Sequence, residues 1–133
     1  MRMILVAADT KSMTPVIRSC FDPRDWLVLE AETVQEVLDR FVDSNGRIEW
    51  MLIDADHFPP TAALDMALKL RNWFPRLRVL IWSRGFDLPF AGKQASILRR
   101  LPAGTISFLR SPFTLRELRQ RFEQPDRETY SVA

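Results

Sequence analysis

Short apolar runs of strand length alternate along the chain with segments whose apolar positions recur at helical spacing. Four of these runs carry polar residues at their C-terminal side, and they lie within Ile4–Asp9, Trp50–Asp56, Val79–Ser83 and Ile106–Phe113. A fifth run covers Trp26–Ala31. Because strand and helix patterns alternate strictly, the chain is predicted to be an α/β protein, with a five-stranded parallel sheet covered by helices on both faces.

The boundaries of these elements follow from caps and turn residues. The predicted strands are Met3–Ala8, Trp26–Ala31, Glu49–Ile53, Arg78–Trp82 and Thr105–Leu109. The predicted helices cover Ser12–Phe21, 34–44, 61–73, 93–101 and 115–123. Thr33 with Glu36 and Thr114 with Glu117 form capping boxes, and Thr61 is expected to cap the third helix. One domain is therefore predicted over residues 1–123, followed by a polar tail over 124–133.

Several side chains are assigned to the core or to a turn by their spacing. Pro15 is placed in the first turn of its helix, where its missing N–H costs little. Asn45-Gly46 is expected to end the second helix. Residues expected to face inward are Val34, Val37, Leu38, Phe41, Leu115, Leu118, Phe122, and the tryptophans at 50, 73 and 82.

Composition and charge limit the kinds of partner. The chain has 133 residues, 47% of them hydrophobic, and a net charge of +2. Acidic residues are interspersed among the basic ones, so no single-sign stripe along the sequence points to nucleic acid, and direct nucleic-acid binding is not expected. The densest basic stretch, with Arg110, Arg116, Arg119 and Arg121, is interpreted as a solvated helix face, and an acidic or phosphate partner is the alternative.

The lone cysteine and histidine exclude several kinds of site. Cys20 cannot form an internal disulfide and is expected in the core, and His57 cannot form a histidine cluster. No apolar stretch approaches the roughly 18–20 residues that span a membrane, and the N-terminus lacks the pattern of a signal peptide. A reducing cytoplasm is the expected location.

Polar residues at the strand ends predict a candidate site. In an open parallel sheet, sites form beyond the carboxyl ends of the strands, where the strand order reverses. Asp9, Asp54, Ser83 and Ser111 each follow a different predicted strand. We therefore expect these four groups to reach one crevice.

On these residues the chain resembles the receiver domain of bacterial two-component response regulators, over about residues 2–123. The family pattern has an acidic pair after strand one, a phosphoacceptor aspartate after strand three, a Ser or Thr after strand four, and Lys-Pro-Phe after strand five. The matching residues are Asp9 for the second acid, Asp54 for the phosphoacceptor, Ser83 for the hydroxyl, Phe108 for the aromatic switch position, and Pro112-Phe113. The resemblance implies a flavodoxin-like sheet with strand order 2-1-3-4-5 and a cis Ser111-Pro112 bond.

Two positions depart from that pattern. Ala8 stands where the first acid is expected, and Ser111 stands where the lysine is expected. Ser111 can donate a hydrogen bond but carries no charge, and Arg84 is the candidate to replace the lysine. A lost charge-assisted contact is worth roughly 1.5–3 kcal/mol, enough to slow phosphorylation and uncouple a switch.

The resemblance also implies a cation site. Phosphoryl transfer to a carboxylate needs a divalent cation as well as a nucleophile. Mg²⁺ takes oxygen ligands, which Asp9, Asp54 and the backbone carbonyl of Asp56 could supply. Without an acid at Ala8, the Mg²⁺ site is expected to be weakened.

Two functions remain open for this receiver-like domain. In the first, it is a pseudo-receiver, a non-enzymatic protein-interaction module that works without phosphorylation. In the second, it is a working response regulator that a histidine kinase phosphorylates on Asp54 with Mg²⁺. A third interpretation, a dehalogenase-type phosphatase using Asp54 and Asp56, is disfavoured because that motif normally lies on the first strand of a larger domain.

Partners are expected to be proteins: a histidine kinase, a downstream effector or a second copy of the chain. In the family, helix four, strand five and helix five commonly form the partner or dimer face. Phe86 and Phe90 lie in a loop beside that face. They could form an exposed interaction site or pack onto the helix below.

Overall fold

A single parallel sheet organises the molecule, for which the computed structural model describes residues 1–84, 100–101 and 105–123. Its strands are β1 (Arg2–Ala7), β2 (Trp26–Ala31), β3 (Ile48–Asp54), β4 (Arg78–Ser83) and β5 (Ile106–Arg110). They lie in the order β2-β1-β3-β4-β5, and every neighbouring pair is parallel. The predicted fold class and strand order are confirmed.

Helices follow β1, β2, β3 and β5. In the described residues they are α1 (Thr10–Arg18), α2 (Val34–Asp43), α3 (Pro60–Trp73) and α4 (Leu115–Glu123). The predicted helix over 93–101 falls almost entirely outside the described residues, as do Phe86, Phe90 and the tail over 124–133. None of the helices in the described ranges is long and apolar enough to cross a membrane.

The central strands are apolar on both faces, and alternate side chains enter two separate core layers. On β1, Leu5 and Ala7 pack into the layer that includes Val37 and Phe41 of α2. Ile4 and Val6 point to the opposite layer, which includes Ile17 of α1 and Leu118 of α4. All four β1 side chains are fully buried. This two-sided burial is what a central strand of a parallel sheet requires.

Aromatic rings hold the last helix against the sheet. Phe122 of α4 packs edge-to-face on Trp50, with ring centroids 4.9 Å apart, and on Phe21, with centroids 4.8 Å apart. Phe21 in turn contacts Trp26 at 5.1 Å. Edge-to-face pairs of this kind contribute about 0.5–1.5 kcal/mol each beyond the area that they bury.

The predicted capping boxes are present at two helices. The Oγ of Thr33 accepts a hydrogen bond from Glu36 N at 3.1 Å. At α4 the exchange is reciprocal, because Thr114 Oγ1 accepts from Glu117 N while Glu117 Oε1 accepts from Thr114 N. The prediction for α3 was wrong: the helix begins at Pro60, and its N-cap Pro59 makes no side-chain capping bond. Proline at the first helical position suits that start, since its missing N–H would have no intrahelical partner.

Other sequence-based placements are corrected by the structure. The helix α1 starts at Thr10, so Pro15 lies in its second turn rather than its first. Val34 and Leu115, each the first residue of its helix, were expected to face inward but are 45% and 41% exposed. Trp50 and Trp82 are in the core as expected, whereas Trp73 at the end of α3 is 64% exposed. Cys20 is only partly buried, against the layer of α1 and α4.

The turn after α2 depends on a left-handed backbone. Asn45 and Gly46 have φ angles of 53° and 71°, and Gly46 N donates to Phe41 O at 3.1 Å. A Cβ on Gly46 would lie 2.5 Å from Cε1 of Phe74. The Phe74 ring cannot retreat freely because it stacks on the buried ring of Phe41, with centroids 5.2 Å apart. Glycine is therefore required here by both its φ angle and its lack of a side chain.

Replacing Gly46 by alanine is predicted to lower the free energy of unfolding by about 2–4 kcal/mol, from left-handed strain plus overpacking. Asn45→Ala is the matched control, since Asn45 shares the positive φ but already has a Cβ, so that the substitution adds no atom. It is expected to cost about 1 kcal/mol. Urea unfolding followed by circular dichroism measures both. Equal losses in the two variants would contradict the packing role assigned to Gly46.

Candidate functional site

The candidate site lies at the carboxyl edge of the sheet, beyond the ends of β1, β3, β4 and β5. Asp9 is exposed, Asp54 and Ser111 are half-buried, and Ser83 is buried. The four predicted residues thus occupy the edge expected from the topology. The hydrogen bonds described below connect three of them, whereas those of Asp9 run elsewhere.

Asp9 acts as the N-cap of α1. Its Oδ1 accepts a hydrogen bond from Lys11 N at 3.2 Å, and its backbone carbonyl accepts from Met13 N at 3.0 Å. The preceding residue, Ala8, is fully buried, and its N–H donates to Ala31 O at 3.1 Å. A buried methyl group therefore occupies the position where the family pattern has its first acid.

Asp54 is held by the turn that it begins. Its Oδ1 accepts from Asp56 N at 2.8 Å, an Asx turn of the kind that aspartate side chains form with the backbone two residues on. Its carbonyl oxygen accepts from His57 N and Phe58 N at 3.2 and 2.9 Å. The carboxylate at the end of β3 therefore has one oxygen committed to the fold of its own loop.

The side chain of Asp56 joins this turn to β4. Ser83 Oγ donates to Asp56 Oδ1 at 2.9 Å, and Arg84 N donates toward both carboxylate oxygens at 3.2 and 3.4 Å. The shortest of these three contacts, from Ser83 Oγ, is a charge-assisted bond, and the Ser83 side chain is almost fully buried. The hydroxyl and the backbone amide at the end of β4 thus face a carboxylate that belongs to the chain itself.

Sequence reasoning missed this role for Asp56. Its backbone carbonyl was considered as a possible Mg²⁺ ligand, and its side chain only in the disfavoured phosphatase interpretation. The Asp-x-Asp spacing in Asp54-Ala55-Asp56 was a usable signal, since an Asx turn after a strand places the second carboxylate beside the neighbouring strand. Which neighbour it meets depends on the pairing of β3 with β4.

Ser111 closes the site on the β5 side. Its N–H donates to Ser83 O at 2.9 Å, and the Ser111-Pro112 bond is cis, as the resemblance implied. Phe113 then packs edge-to-face on Trp82, with ring centroids 5.7 Å apart. Phe108, assigned to the aromatic switch position, is half-buried on β5 and packs against the layer of α2 and α3.

A second group of contacts, also missed from the sequence, ties together the loops after β1, β2 and β3. His57 Nε2 lies 2.8 Å from Glu32 O, and Thr10 Oγ1 donates to Glu32 Oε1 at 2.6 Å. Each contact spans more than twenty residues of chain, so no local pattern could have indicated it. These bonds brace the loops around Asp54.

Within the described ranges, no three His, Cys, Asp or Glu side chains gather in a way that could hold a metal ion. The predicted Mg²⁺ ligands were two carboxylates, of Asp9 and Asp54, and the backbone carbonyl of Asp56. All three are oxygens, which is the ligand type that Mg²⁺ prefers. That ligand set stays a prediction.

Solved structures with the same fold were found, although no family model matches the sequence and no curated protein has significant sequence similarity to it. A response regulator from Thermotoga maritima is 17% identical, with a TM-score of 0.68 over 96% of this chain and 99% of that one. A response regulator receiver domain protein from Clostridium thermocellum is 20% identical, with a TM-score of 0.70 over 96% and 95%. The receiver domain of the hybrid histidine kinase CckA is 20% identical, with a TM-score of 0.65 over 95% and 99%. The chain therefore has the fold of response regulator receiver domains.

The bond between Asp56 and Ser83 is predicted to couple the two residues by about 1 kcal/mol in a double-mutant cycle. The cycle uses Asp56→Ala, Ser83→Ala and the double variant, with urea unfolding as the measurement. Each single variant loses the bond, so the double variant should be less destabilised than the sum of the two. Strict additivity would show that the carboxylate and the hydroxyl do not interact.

Proposed function

We propose that this chain is a receiver-like signalling domain of the two-component family that acts as a protein-interaction module without phosphorylation. Its fold, which matches that of response regulator receiver domains over almost the whole chain, supports the signalling role. The hydrogen bonds at the carboxyl edge of the sheet support the view that the domain acts without being phosphorylated. In this proposal the chain is not an enzyme.

The observation that carries the proposal is the position of the Asp56 carboxylate. A phosphoryl group on Asp54 needs hydrogen-bond donors where its charge develops. The nearest donors at the end of β4 are Ser83 Oγ and Arg84 N, and both already donate to Asp56. An internal anion thus occupies the donors that a phosphoryl group would use.

Two positions in the sequence support the same proposal. Ala8 offers no side-chain oxygen for a cation, and Ser111 offers no positive charge to a phosphoryl group. The lysine that the family pattern has at Ser111 would bring a charge-assisted contact worth roughly 1.5–3 kcal/mol. Without a lysine contact of this kind, a phosphoryl group has less binding energy to offset the cost of breaking the hydrogen bonds to the Asp56 carboxylate.

The proposed partners are proteins, either a histidine kinase or a downstream effector. The described part of the expected partner face is β5 and α4, where Leu115 is 41% exposed beside the exposed Arg116. An apolar side chain beside a basic one on an exposed helix suits an interface with a polar rim. A second copy of the chain could dock on the same face.

The second candidate function is a phosphoacceptor, in which a histidine kinase phosphorylates Asp54 with Mg²⁺. The half-buried, accessible side chain of Asp54 at the end of β3 favours it. In this case Ser83 and Arg84 N must exchange the Asp56 carboxylate for the phosphoryl group. Phosphorylation would then reorganise the contact between the β3–α3 loop and β4.

A titration with Mg²⁺ and beryllofluoride, a phosphoryl mimic, distinguishes the two candidates. We expect the wild type to give no saturable change in Trp82 fluorescence or amide NMR shifts at millimolar Mg²⁺. We expect Asp56→Ala, which frees both donors at the end of β4, to respond more than the wild type.

The control is Asp54→Ala, which removes the attachment point for beryllofluoride. A saturable wild-type response that disappears in Asp54→Ala would overturn the pseudo-receiver proposal and establish the phosphoacceptor. A weak response in Asp56→Ala that also requires Asp54 would support the view that Asp56 competes with the phosphoryl group.

A further inference from the structure

A large groove lies at the amino-terminal end of the strands, on the opposite edge of the sheet from the candidate site. Its volume is about 1030 Å³, and it is bordered by the first residues of β1, β3 and β4 and by the turns after α2 and α3. Small-ligand sites typically enclose about 300–1,000 Å³. The groove is therefore large enough for a ligand much larger than a single phosphate ion.

The charged side chains that line this groove are mostly positive. Five guanidinium groups and one carboxylate line it, and they belong to Arg2, Arg47, Arg71, Arg76, Arg78 and Glu49. Among the described residues, only Arg2 of these five has an acidic partner, through its 2.9 Å bond to Glu49. Within the described part of the chain, the other four arginines form no ion pair. We refer to these five arginines and the space between them as the arginine groove.

Arg71 is the most constrained of these groups. Its Nη1 donates to the carbonyl oxygens of Pro75 and Leu77, while its buried Nε has no partner in the described residues. Burial lowers the pKa of the Arg71 guanidinium, which nevertheless stays charged because arginine titrates far above neutral pH. A partly desolvated cation gains from a nearby anion.

An aromatic side chain stands at the rim of the arginine groove. Trp73 is 64% exposed, an unusual state for an indole, and it lines the groove together with Arg71 and Arg76. Exposed aromatic faces beside a cationic groove are typical of sites that stack nucleobases while arginines hold the phosphates. An acidic peptide would satisfy the arginines but would leave the flat face of Trp73 without a matching ring.

We propose that the arginine groove binds a nucleotide, free or within a single-stranded nucleic acid, with the phosphates on the arginines and the base on Trp73. Guanidinium forks match phosphate oxygens in pairs, which suits this role better than a general positive field. The proposal does not depend on the state of Asp54, because the groove and the candidate site lie at opposite edges of the sheet.

This inference departs from the expectation drawn from the sequence, in which no nucleic acid was foreseen. That expectation looked for basic residues that follow one another along the chain. The groove instead collects arginines from the starts of β1 and β4, the turn after α2, the end of α3 and the α3–β4 connection. Acidic residues that lie between them in the sequence do not line the groove, apart from Glu49.

The test measures binding of adenosine monophosphate by tryptophan fluorescence, and of a labelled single-stranded DNA of about 12 nucleotides by anisotropy. We expect Arg76→Gln with Arg78→Gln to weaken binding of the probe about tenfold or more. For the DNA, we also measure how steeply the logarithm of the binding constant falls with the logarithm of the salt concentration. The magnitude of this slope should decrease by about 1.4, the value for two lost phosphate contacts on a single strand. Trp73→Ala should weaken binding, while Trp73→Tyr should largely preserve it.

The matched control is Lys11→Gln with Lys69→Gln, which removes two exposed charges outside the groove and should leave binding unchanged. If the DNA binds more tightly than adenosine monophosphate, the ligand is a single-stranded nucleic acid. If adenosine monophosphate binds as tightly as the DNA or more tightly, the ligand is a free nucleotide. The proposal fails if neither probe binds, or if the control variant loses as much affinity as the groove variant. It also fails if polyglutamate binds more tightly than both probes and Trp73→Ala has no effect.

Discussion

The structure depends on one constraint, which is that the central strands are parallel and buried on both faces. Each of them must be apolar along its length, so polar chemistry can appear only where the strands begin and end. Because all strands point the same way, every carboxyl end lies at one edge and every amino end at the other. The candidate site and the arginine groove are the two consequences of this single arrangement.

The two edges differ in charge, and the helices match that difference. The helices run back against the strands, so their positive N-terminal ends lie at the carboxyl edge, near Asp9 and the loop of Asp54. Their negative C-terminal ends lie at the other edge, where arginines gather around Arg71 and Arg76. The acids at one edge and the cations at the other therefore each meet the favourable end of a helix dipole.

Within the candidate site, the Asp56 carboxylate links two elements that the topology only places side by side. It takes up the Ser83 hydroxyl and the Arg84 amide, so that the β3–α3 loop is bound to the end of β4. The carboxyl edge has thus satisfied much of its own hydrogen-bonding capacity. The arginine groove is the opposite case, because most of its cations have no acidic partner in the described residues.

The sequence by itself determined the sheet, its helices and the edge on which Asp54 and Ser83 lie. The spacing of apolar residues and the capping residues can be recognised locally in the sequence, and they define each strand and helix. In a parallel sheet, the end of a strand at which a residue lies then determines the edge of the sheet that it reaches. Tertiary structure alone decided that Asp56 meets Ser83, that Trp73 is exposed, and that Arg2 and Arg76 line one groove. Those outcomes depend on how segments far apart in the chain are brought together, and the pairing of the strands and the packing of the helices decide them.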